Sequence, residues 1–469
     1  MPTIPLNVTG ASYTSRSRPL SAQRTVNFLP EVQQNASSKS PFVLHSFPGL
    51  KAFSVKGGVD RGIFAHQLSL YHVSELELFS VDQAGGSTLL GTISGTDRCI
   101  FAGIGSNVIV VTDGKAWQWN GTTLTQVTDA DLETPRSVAH LNNQVLYDGD
   151  GGRFASSDVG DATSIDGLNY ATAESSADGL VRVYVFKQLV YLFGEETTET
   201  WFNSGVGAPP FDRVEGGIIP IGLGAIHSVA SNDQWIYWLG DDREVYAAQG
   251  AVAQKIATSA ISHAIAQYDI VDDAVGACFT WEGQSYYLLT FPNADRSWVF
   301  SESNQFPWFE LSSGTVGGRS VINGYAKAFG RHFVTDHRNG NIYELDGDTY
   351  TDDGATVVRT RCTGPIHGEL LGAPGKRLEM SRFELILETG TGLVSGQGSD
   401  PVVMLQFSDD GGRTFGTELR GKTGKLGEYQ IKVEWHALGS FLERIIRIHT
   451  SDPVFFSIHG ANADIEAGI

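Results

Sequence analysis

The feature that most constrains this chain is a short antiparallel unit that recurs about every 40–50 residues. Residues 232–258 hold the clearest copy: an aromatic and apolar run, a polar turn, a returning run and a weaker third strand. Residues 107–128 and 331–346 repeat it with the turns Asp113-Gly114 and Asn339-Gly340. Asp-Gly and Asn-Gly reach the positive φ of tight hairpins, so each copy predicts a small meander.

Weaker copies fill the intervals between these three. Aligning the first predicted strand of every copy gives seven anchors, spaced about 37 to 51 residues apart: Leu70, Val108, Val145, Val190, Ile236, Tyr287 and Phe333. A period of this length in four-stranded units predicts a β-propeller, because one meander cannot bury both its faces whereas a closed ring covers them. We expect about seven blades, and the irregular spacing leaves six or eight open.

The chain divides into three predicted parts. Residues 1–48 lack periodicity and indicate an extended N-terminal arm, residues 49–358 carry the propeller, and residues 359–469 have longer apolar strands typical of a β-sandwich. Within the propeller, residues 257–268 have helical spacing with Thr258 or Ser259 as cap. The stretches 166–179 and 205–224 are predicted to be long loops. The fold class is therefore all-β.

Composition excludes several classes of function. The net charge is −20, which opposes wrapping of nucleic acid through phosphate contacts. No apolar run is long enough for a membrane helix, so we expect no membrane insertion. Cys99, Cys278 and Cys362 suit neither a disulfide framework nor a zinc site. Phosphate-binding loops, nucleophile elbows and metalloprotease motifs are not found, so we expect a non-enzyme with no catalytic residues, no cofactor and no metal.

Basic residues concentrate in the arm, against the sign of the rest of the chain. Arg16, Arg18 and Arg24 lie among Ser, Thr, Pro and Gln, and Phe28 and Phe47 sit in two compact apolar turns. These five residues form our candidate assembly interface, in which the arm docks on an acidic partner such as a neighbouring copy. The alternative is that the arm is merely solvated and that its apolar patches pack on nearby blades.

One motif in the C-terminal part resembles the Asp box of sialidases and other carbohydrate-active propellers. It consists of Ser408, Asp410, Gly412, Thr414 and Phe415. A carboxylate and a hydroxyl there accept hydrogen bonds from backbone N–H groups across a turn, so the role we assign is structural. The motif keeps one alternative function open, a carbohydrate-binding or sialidase-like propeller, which would need arginines and a tyrosine–carboxylate pair at the channel mouth. A bacterial interaction scaffold is a further alternative.

Several segments together resemble a known family. They are residues 26–30 (VNFLP), 46–50 (SFPGL), 173–175 with 178–179, 189–194, 197–202 and 453–458. These segments occur in a chain with the order arm, propeller and sandwich. In both respects the chain is similar to the packaged-DNA stabilisation or tail-hub proteins of short-tailed Salmonella-type phages.

The resemblance implies a virion structural protein made in the host cytoplasm. Its members are expected to form a ring, a hexamer, beneath the portal and its adaptor ring. They close or extend the DNA channel after packaging, and they attach tailspikes or fibres and the needle or nozzle below. Double-stranded DNA would pass without sequence-specific binding, because an acidic body repels the phosphate backbone.

Overall fold

The computed structural model describes residues 2–32, 42–173, 178–302, 307–314 and 317–468. In this part of the chain, β-strands dominate and a single α-helix is present, which confirms the all-β class. The N-terminal segment contributes β1 (Thr3–Leu6), β2 (Tyr13–Thr14), β3 (Ala22–Val26), β4 (Phe28–Val32) and β5 (Phe42–Ser46). The next strand, β6 (Gly49–Ser54), belongs to the propeller.

Five blades are separate four-stranded antiparallel sheets. Blade 1 holds β7 (Asp60–His66), β8 (Ser69–Ser74), β9 (Glu77–Val81) and β10 (Ser87–Thr92). Blade 2 holds β11 (Ile100–Ile104), β12 (Asn107–Thr112), β13 (Lys115–Trp119) and β14 (Leu124–Gln126). Blade 3 holds β15 (Val138–Leu141), β16 (Gln144–Asp148), β17 (Arg153–Asp158) and β18 (Asp161–Thr172). Blade 4 holds β19 (Leu180–Phe186), β20 (Leu189–Gly194), β21 (Thr198–Asn203) and β22 (Phe211–Ile219). Blade 5 holds β23 (Ala230–Ser231), β24 (Ile236–Leu239), β25 (Val245–Gln249) and β26 (Val252–Lys255).

The last two blades join the ring to other parts of the chain. Blade 6 holds β27 (Val275–Trp281), β28 (Gln284–Phe291), β29 (Arg296–Ser301) and β30 (Trp308–Glu310). Blade 7 holds β31 (Ile322–Ala328), β32 (Arg331–Asp336) and β33 (Ile342–Asp346), and its fourth strand is β6 from the N-terminal side. Two short strands, β34 (Thr351–Asp352) and β35 (Ala355–Thr356), extend its outer edge. The ring is thus closed by non-covalent pairing of β6 with β33.

Seven clusters of buried side chains lie between consecutive blades. The cluster with Val73 and Val108 joins blade 1 to blade 2, and the sequence of clusters continues round the ring. The last one packs Phe333 of blade 7 against Leu70 of blade 1. The predicted β-propeller with about seven blades is confirmed.

All seven sequence anchors fall in one structural position. Each lies in the second strand of its blade, not the first as predicted, and each is fully buried. The second strand has neighbours on both edges and blades on both faces, so it is the most continuously apolar. The first strands line the central channel and mix small and polar residues, for example Gly62 and Arg182. Because the sequence pattern of the first strands is weak, the prediction took the second strand of each blade for the first.

The C-terminal part is the predicted β-sandwich. Its strands are β36 (Arg359–Cys362), β37 (Ile366–His367), β38 (Leu378–Leu387), β39 (Val402–Ser408), β40 (Leu419–Lys422), β41 (Val433–His436), β42 (Ser440–Phe441), β43 (Glu443–Thr450) and β44 (Ser457–Ala467). One sheet has the order β4-β5-β44-β38-β41, with β1 on β44 and β42 on β38. The other has the order β36-β43-β39-β40 and encloses a common core with the first.

The N-terminal segment is part of both domains. β1, β4 and β5 complete a sandwich sheet, while β3 pairs with β36 of the sandwich and meets β30 of blade 6. Blade 6 and one sandwich sheet therefore form a single hydrogen-bonded sheet through β3. The division at residues 48 and 358 stays a prediction, and residues 2–32 make extensive pairings where an extended arm was expected.

Local predictions inside the propeller had mixed outcomes. The helix is confirmed as α1 (Ser259–Ala266), capped by the Thr258 hydroxyl, which accepts from the Ile261 N–H at 3.4 Å. The two predicted loops are wrong in part: β18 runs through residue 172, and β22 covers residues 211–219. Both are outer strands with register shifts, which conceal the alternation that marks a regular strand.

Candidate functional site

A cleft of about 1,100 Å³ lies where the arm, blade 6 with α1 and the sandwich meet; we call it the junction cleft. The structure brings together there three of the five arm residues predicted for assembly and part of the Asp-box motif. Six arginines and two glutamates line it: Arg16, Arg18, Arg24, Arg296, Arg413 and Arg447, with Glu310 and Glu418. In a chain of net charge −20, the junction cleft is a local basic surface.

Arg16 and Arg18 are the cations most available to a partner. Both side chains are exposed, on the segment between β2 and β3. Neither has an ion pair or hydrogen bond among the described residues. Exposed, unpaired guanidinium groups can bind carboxylates in the two-point geometry that favours Arg over Lys.

Arg24 has an internal role instead. Its Nε and Nη2 donate to Oε1 and Oε2 of Glu310 at 2.7 and 2.6 Å, joining β3 to blade 6. Burial disfavours the charge on Arg24, but the hydrogen bonds and attraction to Glu310 outweigh it, so the pKa of Arg24 is raised. This pair is two-pronged and largely shielded from water, so its loss would affect the fold before it affected a partner.

Phe28 and Phe47 are excluded from the interface that the sequence predicted. Phe28 is fully buried in the sandwich core, with its ring centre 6.2 Å from that of Phe456. Phe47 is buried between blades 6 and 7, edge-on to Phe279 at 6.1 Å. Each phenyl ring already has a complete apolar environment within the chain, so neither can contact a partner without opening a core.

The Asp-box-like turn follows β39 and forms one wall of the junction cleft. Asp410 accepts from the hydroxyl groups of Ser408 and Thr414, both at 2.6 Å, and from the backbone N–H groups of Arg413 and Thr414. These bonds, the Ser408 hydroxyl first, hold the pKa of Asp410 well below its usual range. The Gly412 N–H donates to the Ser408 hydroxyl at 2.8 Å.

Two further contacts tie this turn to its surroundings. Gly412 has a φ of 79° and lies so close to the arm that an added methyl group would be 3.0 Å from Cβ of Ala22. The ring of Phe415 lies under the guanidinium of Arg447, 4.0 Å from its centre, and Arg447 donates to Gln406 at 2.9 Å. The turn thus forms part of the cleft wall, and the carboxylate of Asp410 is already hydrogen-bonded within the turn.

The central channel of the propeller tests the sialidase-like alternative. Its lining includes Arg98, Arg182 and Tyr184, but none of the described residues that line it is an aspartate or glutamate. A tyrosine–carboxylate pair exists elsewhere: Tyr237, which is buried between blades 5 and 6, donates to the half-buried Glu302 at 2.8 Å. The channel therefore lacks the pair a retaining sialidase mechanism would need, and nothing in this geometry favours that function.

Within the described ranges, no group of three or more His, Cys, Asp or Glu side chains is placed to hold a metal ion. In the same ranges, no helix has the length and apolarity needed to cross a bilayer.

Two family profiles match the chain, one for each large domain. The profile for the β-propeller of bacteriophage P22 Gp10 matches residues 2–350, and the profile for the β-sandwich of the same protein matches residues 366–466. The chain belongs to the bacteriophage P22 Gp10 family. The resemblance to tail-hub proteins of Salmonella-type phages is thereby confirmed, and the chain is a structural tail protein of a phage virion.

Other comparisons add no functional information. No curated protein matches the sequence significantly. Among solved structures, the streptogramin B lyase is 11% identical, with a TM-score of 0.43 over 63% of this chain and 97% of its own. BamB from Moraxella catarrhalis is 10% identical, with a TM-score of 0.39 over 74% of this chain and 96% of its own. The WD40 domain of Neurospora crassa Pan2 is 8% identical, with a TM-score of 0.43 over 64% of this chain and 95% of its own. Scores at this level support no inference about this chain.

Asn27 of the VNFLP segment lies where the arm, the propeller and the sandwich meet. Asn27 adopts the left-handed conformation (φ 59°) and is 3% exposed. Its side-chain amide donates to the carbonyl oxygens of Ser312 and Val358, both at 2.8 Å, and its oxygen accepts from the Ser312 N–H at 2.9 Å. Asn27 therefore joins arm, propeller and sandwich, a role that the sequence analysis missed. Glu174 and Ser175 of the resemblance lie outside the described residues.

Proposed function

We propose that this chain forms a hexameric ring below the portal and adaptor, where it closes or extends the DNA channel after packaging and carries tailspikes or fibres and distal tail parts. The observation that carries the proposal is the match of both domains, in order, to the P22 Gp10 family. In this role the chain is a non-enzymatic head-to-tail connector, made in the host cytoplasm, that takes part in genome ejection.

The charge distribution supports assembly through the junction cleft. We propose that Arg16 and Arg18 bind an acidic surface of a neighbouring copy, since most of the chain is acidic and the cleft is basic. Attraction of this kind sets orientation and association rate, and it weakens with salt.

The dimensions of the propeller bear on the path of DNA. The central channel encloses about 280 Å³ and is lined by packed side chains, so it is too small for a double helix. We therefore place the DNA path on the axis of the ring, between subunits. Acidic walls there would let DNA slide without sequence-specific binding.

Quantitative mass spectrometry of purified, DNA-filled virions tests the role in the virion. We expect this chain at about half the copy number of a dodecameric portal protein. A protein absent from washed virions would contradict the structural role, and a ratio far from one half would contradict the hexamer.

Charge reversal tests the interface. Residues 1–25 include β1, β2 and most of β3, so their deletion would damage the sandwich, and point variants are the sharper test. We expect the double variant Arg16→Glu, Arg18→Glu to assemble fewer rings by light scattering and to support fewer infectious virions. The matched control is Arg420→Glu, Lys432→Glu, which changes the net charge equally at exposed positions outside the cleft. Equal effects of both pairs, or no effect of the first, would contradict the interface.

A further inference from the structure

The centre of the propeller concentrates positive charge inside an acidic protein. Arg98 precedes β11 and Arg182 lies in β19, and both side chains line the 280 Å³ channel together with His227. No carboxylate among the described residues lines it. Asp60, which attracts Arg98, is buried outside this lining and already accepts from Asn323 at 2.6 Å and Thr335 at 2.8 Å.

Arg182 lacks the partners that a buried guanidinium normally has. It is 9% exposed and donates from Nη1 to the carbonyl oxygen of Ile226. Its Nε is buried and has no hydrogen-bond partner among the described residues. A buried, charged donor without an acceptor is costly, so such positions call for an explanation.

Neighbouring charges make the site electropositive. Burial lowers the pKa of Arg182 to about 10. Attraction to Tyr184 and Asp148 opposes this shift, and repulsion from Arg98 adds to it. Burial and the two guanidinium groups lower the pKa of His227 well below its usual value. The channel thus holds two arginines and a neutral imidazole, with Tyr184 under Arg182 and Ser231 bonded to the Tyr184 hydroxyl at 2.9 Å.

We propose that the propeller channel is a binding site for one small oxyanion, held by Arg98 and Arg182 with His227 beside them. Phosphate and carboxylate share the chemistry required: several acceptor oxygens and a negative charge that guanidinium groups bind strongly. A bound oxyanion would accept from Arg182 Nε, offset the repulsion between the two arginines, and link the inner strands of blades 2 and 4. The site is independent of the proposed role in the tail.

The test uses the full chain, freed of oxyanions by dialysis into chloride buffer. Calorimetric titrations with inorganic phosphate and with acetate at constant ionic strength identify the anion. We expect one site per chain for at least one of them, and a Tm that rises with the logarithm of its concentration, because a ligand that binds only the folded state stabilises it.

Variants assign the site. Arg182→Gln should weaken binding at least about tenfold, the effect of losing a charge-assisted hydrogen bond. The control, Arg213→Gln, removes an arginine from β22 at the outer edge of the same blade and should bind like the wild type. If Arg182→Gln fails to fold, Arg98→Gln is the second variant, and it should weaken anion binding in the same titration. The proposal is overturned if neither anion binds, or if binding survives in both channel variants.

Discussion

At the scale of single residues, the junction of arm, propeller and sandwich depends on buried polar side chains. Asn27 and Arg24 are neighbours in the arm, yet their partners Ser312, Glu310 and Val358 lie about 280 to 330 residues away. Hydrogen bonds of this kind contribute modestly when made and cost more when one partner is removed.

Replacing Asn27 should be strongly destabilising. In Asn27→Ala, three backbone groups lose their hydrogen bond to Asn27, at a cost of about 1–3 kcal/mol for each. The variant also places an alanine in the left-handed region, which Asn and Gly adopt more readily. We expect a loss of at least about 3 kcal/mol in the free energy of unfolding, measured by urea denaturation. Asn27→Gly relieves the strain alone and should be about 1 kcal/mol more stable than Asn27→Ala. Equal stabilities would refute the strain argument, and a small loss in both would refute the bonding argument.

Removing Arg24 should affect stability where removing Arg18 does not. Arg24→Ala leaves the Glu310 carboxylate nearly buried and unpaired, so we expect a loss of about 1.5–3 kcal/mol. Arg18→Ala, on the exposed part of the same segment, should stay within about 0.5 kcal/mol of the wild type. The double variant Arg24→Met, Glu310→Gln should recover part of the loss. A loss unchanged by the second substitution would show that the ion pair is not its cause.

At the scale of elements, the ring depends on one strand borrowed from the N-terminal side. β6 pairs with β33 on one edge and contacts β34 on the other. Gly49 begins it, and its N–H donates to the Thr349 carbonyl at 2.6 Å. Closing a propeller by pairing strands from distant parts of the chain removes an exposed sheet edge.

Adding a methyl group at Gly49 should weaken this closure. Its Cβ would lie 2.6 Å from the carbonyl oxygens of Thr349 and Thr351, which are backbone atoms that cannot rotate away. We expect Gly49→Ala to cost about 1–3 kcal/mol and to increase hydrogen exchange in β6 and β33. Gly460→Ala in β44, where a methyl group meets nothing within 4 Å, is the matched control. Similar losses in both variants would refute the steric explanation.

At the scale of the whole molecule, burial of histidines makes stability depend on pH. Desolvation lowers the pKa of five histidines below 6.5 in the folded protein: His140, His227, His332, His337 and His449. The unfolded chain therefore binds more protons near pH 6.5. By linkage, the stability these groups contribute is present above that pH and is lost as the pH falls.

We expect the free energy of unfolding to decrease from pH 7.5 to pH 6, with a slope equivalent to roughly one to two protons taken up on unfolding. Urea denaturation in chloride buffers at fixed ionic strength measures it. Buried carboxylates with raised pKa values, such as Asp352, act in the opposite sense at lower pH. Stability that is flat or rises between pH 7.5 and 6 would contradict the expectation.

The features that the sequence predicted correctly are those that repeat along the chain or are local. The second strand of each blade is covered on both faces, so it must be apolar, and seven such runs with hairpin turns between them specify a propeller. The cap of α1 and the strands of the sandwich could also be predicted, because each depends on residues that are close together in the sequence.

Contacts between groups that are distant in the chain became visible only in the folded protein. Pairing with both domains turns the N-terminal segment, which lacks periodicity, into a structural element. Phe28 and Phe47 of this segment are buried, whereas Arg16 and Arg18 stay exposed at the junction cleft. The inner strands likewise bring Arg98 and Arg182 together in the channel. These contacts span tens to hundreds of residues, so no local pattern reports them, and their energies depend on burial that exists only after the chain has folded.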